Sequence, residues 1–216
     1  MKLKLLLIIL LILKITLATR GFDFSYFQGT PSVTDLKCLK NDGFDFGFVQ
    51  AQRSNGEYNP YIKQVFKNLR EAGLKYVDVY IFPNVKEDAR GQIYKTISKL
   101  KEDGVLTDNM VWLDIEKYEW PSSHTTNIKF IEEMIDEVEN QYKGGKVAIY
   151  SSKYSWDAIT GGTTKFKDYQ LWYAHYDNNE SFSDFEPFGG WTKPNIKQYK
   201  DTTSICGTSI DYDYYP

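Results

Sequence analysis

The stretch Val111-Trp112-Leu113-Asp114-Ile115-Glu116 decides how the rest of the chain reads, because it alternates apolar residues with acids. In a strand, successive side chains point to opposite faces, so Val111, Leu113 and Ile115 pack one way while Trp112, Asp114 and Glu116 face the other. Two carboxyls on one face have a chemical meaning. The charge of one raises the pKa of the other, which keeps a carboxylic acid protonated long enough to donate a proton near neutral pH. Solvated acids on an exposed edge strand give the same pattern, so the neighbouring segments must decide.

Outward from that stretch the alternation recurs. Gly21-Phe22-Asp23-Phe24-Ser25 sets Asp23 and Ser25 against two phenylalanines, Tyr76 to Phe82 sets Asp78, Tyr80 and Phe82 against Val77, Val79 and Ile81, and Ser209 to Asp213 sets Asp211 and Asp213 against Ile210 and Tyr212. Further strands are expected at Phe44 to Ala51, from Val147, at Leu171 to Tyr176 and at Ile196 to Tyr199. Helical spacing of apolar residues predicts helices over Val33 to Gly43, from Asn59-Pro60 to Arg70, from about Asp88 to Glu102, and from a Ser122-Ser123 cap to a Gly144-Gly145 stop. Strand and helix in alternation predict an α/β fold: a single-domain parallel β/α barrel, TIM-like but incomplete, with about eight strands and fewer than eight helices. The missing helices are expected in the C-terminal third.

Residues 1–18 read as a secretory signal, with Lys2 and Lys4 before an apolar run and Thr16-Leu17-Ala18 as its cleavage site. Lys14 cuts the run to about half of the ~20 residues that a spanning helix needs, so no membrane association is expected after removal. The expected mature domain is residues 19–216. Three of the 26 basic residues and none of the 29 acids lie in the leader, so this domain carries a net charge of −6. It has no basic run for a nucleic-acid backbone to follow. Only Cys38 and Cys206 are present; in an oxidising compartment they can bridge the two ends of the domain, and two buried free thiols are the alternative. Two cysteines and two histidines do not make a zinc site, and the chain calls for no metal or other cofactor. Asn179-Glu180-Ser181 is a glycosylation sequon. A monomer is expected.

In a parallel barrel the strands end at one rim, so Asp23, Asp114, Glu116 and Asp211 should converge there, with Asp78 deeper in a supporting role. Carboxylates alone suit metal-assisted hydrolysis or glycoside cleavage. The aromatic residues Tyr26, Tyr80, Phe82, Tyr118, Trp120, Trp172, Tyr176 and Trp191, at or just past strand ends, favour a sugar, since their faces pack against pyranose rings. Part of that set, with Phe22, Phe24 and Phe48, belongs to an ordinary core. His124 and His175 have no partner that makes a nucleophile and read as structural or substrate-contact residues.

Together these residues resemble glycoside hydrolase family 25, the Chalaropsis-type lysozymes, over nearly the whole mature chain. Asp23-Phe24-Ser25-Tyr26-Phe27-Gln28-Gly29 resembles the opening D-x-S-x-aromatic-Q-G, Tyr80-Ile81-Phe82 the Y-x-F strand end, and Trp112-Leu113-Asp114-Ile115-Glu116 the W-x-D-x-E centre. Leu171-Trp172-Tyr173-Ala174-His175-Tyr176, Gln198-Tyr199 and Ile210-Asp211 follow in the family's order. The resemblance implies a muramidase cutting the β-1,4 bond between N-acetylmuramic acid and N-acetylglucosamine in bacterial peptidoglycan. It casts Glu116 as general acid and gives Asp114 the anomeric charge, directly or by orienting the substrate's acetamido group. Asp23 and Asp211 tune the pair, and Ser25, Tyr80, Phe82, Tyr118, Trp172, Tyr176 and Gln198 hold the sugar. Two departures stand out: Arg53-Ser54-Asn55-Gly56 replaces an acid before the glycine, and Asp211-Tyr212-Asp213 lacks the usual asparagine. Rival readings are a chitinase-like glycosidase, an inactive secreted sugar-binding barrel and a metal-dependent hydrolase. An acidic balance with pI near 5.5 suits an acidic digestive or phagocytic lumen, where repulsion from anionic walls weakens.

Overall fold

The alternating stretches form eight strands and close on themselves. The computed structural model describes residues 19–143 and 146–216; the expected leader and the Gly144-Gly145 helix stop lie outside the described residues. The strands are β1 (Thr19–Phe24), β2 (Phe44–Gln52), β3 (Tyr76–Ile81), β4 (Met110–Asp114), β5 (Lys146–Ser151), β6 (Leu171–Ala174), β7 (Ile196–Ile205) and β8 (Thr208–Tyr215). Among the described residues five α-helices, α1 (Val33–Asn41), α2 (Ile62–Ala72), α3 (Ala89–Glu102), α4 (His124–Gln141) and α5 (Lys153–Thr160), follow the first five strands in turn. The barrel runs in sequence order and closes β8 onto β1.

The alternation sorts side chains into two layers. Val111, Leu113 and Ile115 join Phe22, Phe24, Val79 and Ile81 under the helices, while Trp112 faces inward with Phe48, Tyr80, Ala148, Tyr150 and Trp172. A run of period two is therefore buried on both sides, and its inward members fill the barrel rather than leave a pore. Among the described residues no helix is long and apolar enough to cross a membrane.

Two expectations need correction. Neighbouring pairs from β1 to β7 are parallel, but β8 is antiparallel to both β7 and β1, so the barrel is not wholly parallel. The cause is the connection: only Cys206 and Gly207, both at positive φ, separate Ile205 from Thr208, a hairpin turn too short for a crossover. Helix α5 was not expected. With eight residues it shows one buried apolar pair, Trp156 and Ile159, too few to display a helical period, and its Ser152 cap is its clearest sequence mark. No helix follows α5 among the described residues, which puts the missing helices in the C-terminal third as expected.

Cys38 on α1 is bonded to Cys206 in the β7–β8 turn, 168 residues apart, with Cα atoms 5.6 Å apart. The bridge ties the β7–β8 hairpin to the helical layer. Replacing both cysteines by serine is expected to cost about 3 kcal/mol, read as a lower denaturant midpoint with a higher m, since the unfolded chain loses its cross-link and exposes more surface.

Candidate active site

At the rim where the parallel strands end, a cleft of about 530 Å³ is lined by all four expected acids, Asp23, Asp114, Glu116 and Asp211. Each arrives by a different route. Asp23 is the inward residue next to the end of β1, and Asp114 ends β4, with Glu116 two residues beyond. Asp211 comes from the opposite direction, in mid-strand on β8, where antiparallel register sets it across from Asp23. The expectation that it meets the others holds, although it does not end a parallel strand.

The residue pattern Asp-x-Ser-x-x-Gln has a local mechanical cause. Ser25 caps a short 3₁₀ turn, Tyr26–Gln28; its hydroxyl accepts from Phe27 N and donates to Gln28 Oε1 at 2.7 Å, and the same oxygen accepts from Ser25 N at 2.8 Å. This capping box reverses the chain just beyond Asp23 and turns the Phe27 ring outward, 84% exposed. Ser25 lines the cleft with its hydroxyl proton already committed.

Gln198 on β7 is the hub. Its amide nitrogen donates to Asp23 Oδ2 at 2.7 Å and Asp211 Oδ2 at 3.2 Å, and its oxygen accepts from Tyr150 at 2.6 Å and Tyr176 at 2.8 Å. Both amide protons and both lone pairs are used, so Gln198 organises acids and phenols rather than offering a free group to a ligand. The Tyr150 hydroxyl also lies 3.5 Å from Glu116 Oε1. The loop carrying Glu116 is fixed from behind: Trp120 donates to the Glu116 carbonyl at 2.8 Å, Ile115 N to the Tyr150 carbonyl at 2.8 Å, and Ser151 Oγ to the Ile115 carbonyl at 2.7 Å.

Burial is the main cause of the site's electrostatics. Asp114, 5% exposed, has its pKa raised well above the usual range by burial and then by the charges of Glu116 and Asp23. Asp23 is raised by burial and Asp211 against the lowering hydrogen bond from Gln198. Glu116 is raised by burial, with Tyr150 opposing, and Asp211 is pushed up to about 6, again by burial. Asp114 Oδ1 is buried with no hydrogen-bond partner among the described residues. A cluster of this kind holds protons at pH values where single carboxyls have lost them.

All seven expected sugar contacts, Ser25, Tyr80, Phe82, Tyr118, Trp172, Tyr176 and Gln198, line the same cleft. Their exposures divide them. Trp172 and Tyr80 are buried floor, Trp172 stacking on Phe48 at 4.0 Å, whereas Tyr118 and Tyr176 are half-exposed walls. Three aromatic residues do not belong to it: Trp191 packs on Trp156, Trp120 on Phe130, and Tyr26 lies between Tyr61 and the Arg53 guanidinium. His124 and His175 lie outside the cleft lining as well, and the exposed Asn179 sits on the β6–β7 loop. Asp78 does not sit beneath the rim acids as expected: it lines a separate hollow at the opposite end of the strands and accepts there from Met110 N at 2.8 Å and Trp112 Nε1 at 3.0 Å, because it lies near the start of β3. His175, Asp177 and Asp184 gather on that same loop, but the buried Lys197 ammonium takes the cation's place, 2.8 Å from Asp177 and 2.7 Å from Asp184.

Sequence reasoning gave no role in the cleft to Tyr150, Gln50, Phe27 or the Arg53-Ser54-Asn55 turn, all of which line it. Tyr150 ends the alternating face of β5, the signal that singled out Asp114 on β4, and Gln50 holds Tyr26 N at 2.9 Å from β2. Asp213 is fully buried below the cleft, its Oδ1 accepting from Trp172 Nε1 at 2.8 Å. Burial, and then the charge of Asp23, raise its pKa well above normal, which favours the protonated form of the acid that stands in place of the usual asparagine.

An α/β barrel that delivers paired acids to an aromatic cleft has the arrangement glycoside cleavage requires, and comparison with known proteins gives the class. The family described as Lys-1, lysozyme-like protein 1, matches residues 19–199. The chain is 38% identical over 206 residues to the probable GH family 25 lysozyme 2 of Dictyostelium discoideum, covering 95% of this chain and 94% of that one. It is also 38% identical to lysozyme-like protein 5 of Caenorhabditis elegans over 212 residues, with 94% of each covered. The structure of a family GH25 lysozyme from Aspergillus fumigatus shares the fold, with TM-score 0.75 and 21% identity over 92% of this chain and 94% of that one. The chain belongs to the glycoside hydrolase family 25 lysozymes.

Proposed function

We propose that this enzyme is an N-acetylmuramidase that hydrolyses the β-1,4 bond between N-acetylmuramic acid and N-acetylglucosamine in bacterial peptidoglycan. Glu116 protonates the leaving oxygen; burial raises its pKa above the ordinary carboxyl value, which favours the protonated form that a general acid needs. Asp114 faces the anomeric carbon or the N–H of the 2-acetamido group. The observation that carries the reading is its buried, unpartnered Oδ1 beside Glu116. An acceptor left without a hydrogen bond carries a desolvation cost that a developing positive charge, or an amide N–H, removes on arrival. Asp23 and Asp211, joined through Gln198, keep the pair in place and restrain its ionisation. Tyr118 and Tyr176 flank the sugar.

Secretion through residues 1–18, into the exterior or the lumen of a phagocytic or digestive vacuole, is part of the same proposal. The Cys38–Cys206 bridge supports it, because disulfides persist in oxidising compartments. Clearing of bacterial cell-wall suspensions with release of muramic acid reducing ends is the expected result, measured against release from chitin. Activity on chitin alone would replace the muramidase by a chitinase-like enzyme.

A further inference from the structure

Beside the catalytic cleft is a second chamber of about 660 Å³, lined by Phe27 and the β7–β8 hairpin. Two observations join the chambers. Phe27 lines both, and Thr202, on the hairpin side, donates to Asp211 Oδ1 at 3.2 Å, so the wall of one is hydrogen-bonded to an acid of the other. The hairpin contributes Ser204, Thr208 and Ser209 to this lining, the Ser204 and Ser209 hydroxyls lying 3.3 Å apart and hydrogen-bonded to each other, and none of the lining residues is charged. The Cys38–Cys206 bridge pins the hairpin tip to α1, so the wall is built before any ligand arrives.

We propose that this chamber is an additional sugar subsite, which takes a pyranose of the glycan strand next in line to those in the catalytic cleft. The chemistry is that of a neutral carbohydrate. An exposed aromatic ring offers a face to the apolar side of a pyranose, and uncharged hydroxyls exchange hydrogen bonds with its rim. A peptide stem or a phosphate would call for charged partners, which this lining lacks. The Ser25–Gln28 capping box fixes the backbone turn that carries Phe27, and the exposed ring meets Tyr26 edge-on at 5.6 Å, which leaves a face of the ring open to a ligand.

The proposal rests on the muramidase reading, and its test separates the two. The parent and Phe27→Ala are assayed on long glycan strands and on the shortest fragment that the parent cleaves. The ratio of kcat/KM for long over short substrate is expected to fall about tenfold in Phe27→Ala, the scale of one lost aromatic contact. A Ser204→Ala/Ser209→Ala double variant, which leaves the Phe27 turn intact, is expected to move the ratio the same way by about threefold. Equal losses on both substrates, or an unchanged ratio in both variants, overturn the subsite. A parent that cleaves neither substrate overturns the muramidase reading instead.

Discussion

Replacing Glu116 by glutamine is expected to lower kcat on peptidoglycan by about 10²–10⁴-fold, the contribution of a positioned general acid. Glutamine matches the volume of the acid, still meets the Tyr150 hydroxyl 3.5 Å away and leaves the Trp120 bond to the backbone carbonyl untouched, so the loop should stay in place. Substrate affinity should persist, which makes the variant useful for measuring binding without turnover. The pH dependence sharpens the test. Burial holds the Glu116 pKa above its ordinary value, so the parent should lose kcat as pH rises through that ionisation, and the residual rate of Glu116→Gln should lack this decline. A variant that keeps more than about a tenth of the parental kcat removes Glu116 from the role.

The fold was legible where period and burial agreed. Val111, Leu113 and Ile115 on one side and Trp112 and Asp114 on the other follow from strand geometry alone, and two separate apolar layers bear the alternation out. The direction of β8 was not legible, because Ser209 to Asp213 alternates equally well either way round. Only the two-residue Cys206-Gly207 connection forces the reversal. In the site, acids were conspicuous because a carboxyl inside an apolar pattern demands a reason. Tyr150 and Gln50 were not, since a phenol or an amide on an inward face reads as ordinary core or polar lining until its partners are known. The role of Gln198 depends on four hydrogen bonds to residues up to 175 positions away, and no local pattern encodes such a hub.

Asp114→Asn is expected to move activity and stability in opposite directions. Activity should drop by about 10²–10³-fold, because an amide cannot bear the negative charge that faces the anomeric centre. Stability follows from the sign of the pKa shifts. Asp114 is raised by burial, then by Glu116 and Asp23, and Asp23, Glu116, Asp211 and Asp213 are raised as well. A carboxyl whose folded pKa lies above its unfolded value, near 3.9 for aspartate, adds stability that is fully present below the unfolded value. That contribution is lost as pH rises through the folded value, which for Asp211 is about 6. The parent should therefore melt at a higher temperature near pH 4 than near pH 8, with part of the fall between about pH 4 and 6. Asparagine at position 114 takes one buried charge out of the cluster, so Tm at pH 8 should rise by about 3 °C or more, and the pH dependence of Tm should flatten. The two effects have one origin, since the charge that is costly to bury in the empty site is the charge the reaction uses. A fall in Tm at pH 8 together with lost activity would show that the Asp114 carboxylate supports the fold, and the catalytic assignment would then lose its energetic basis.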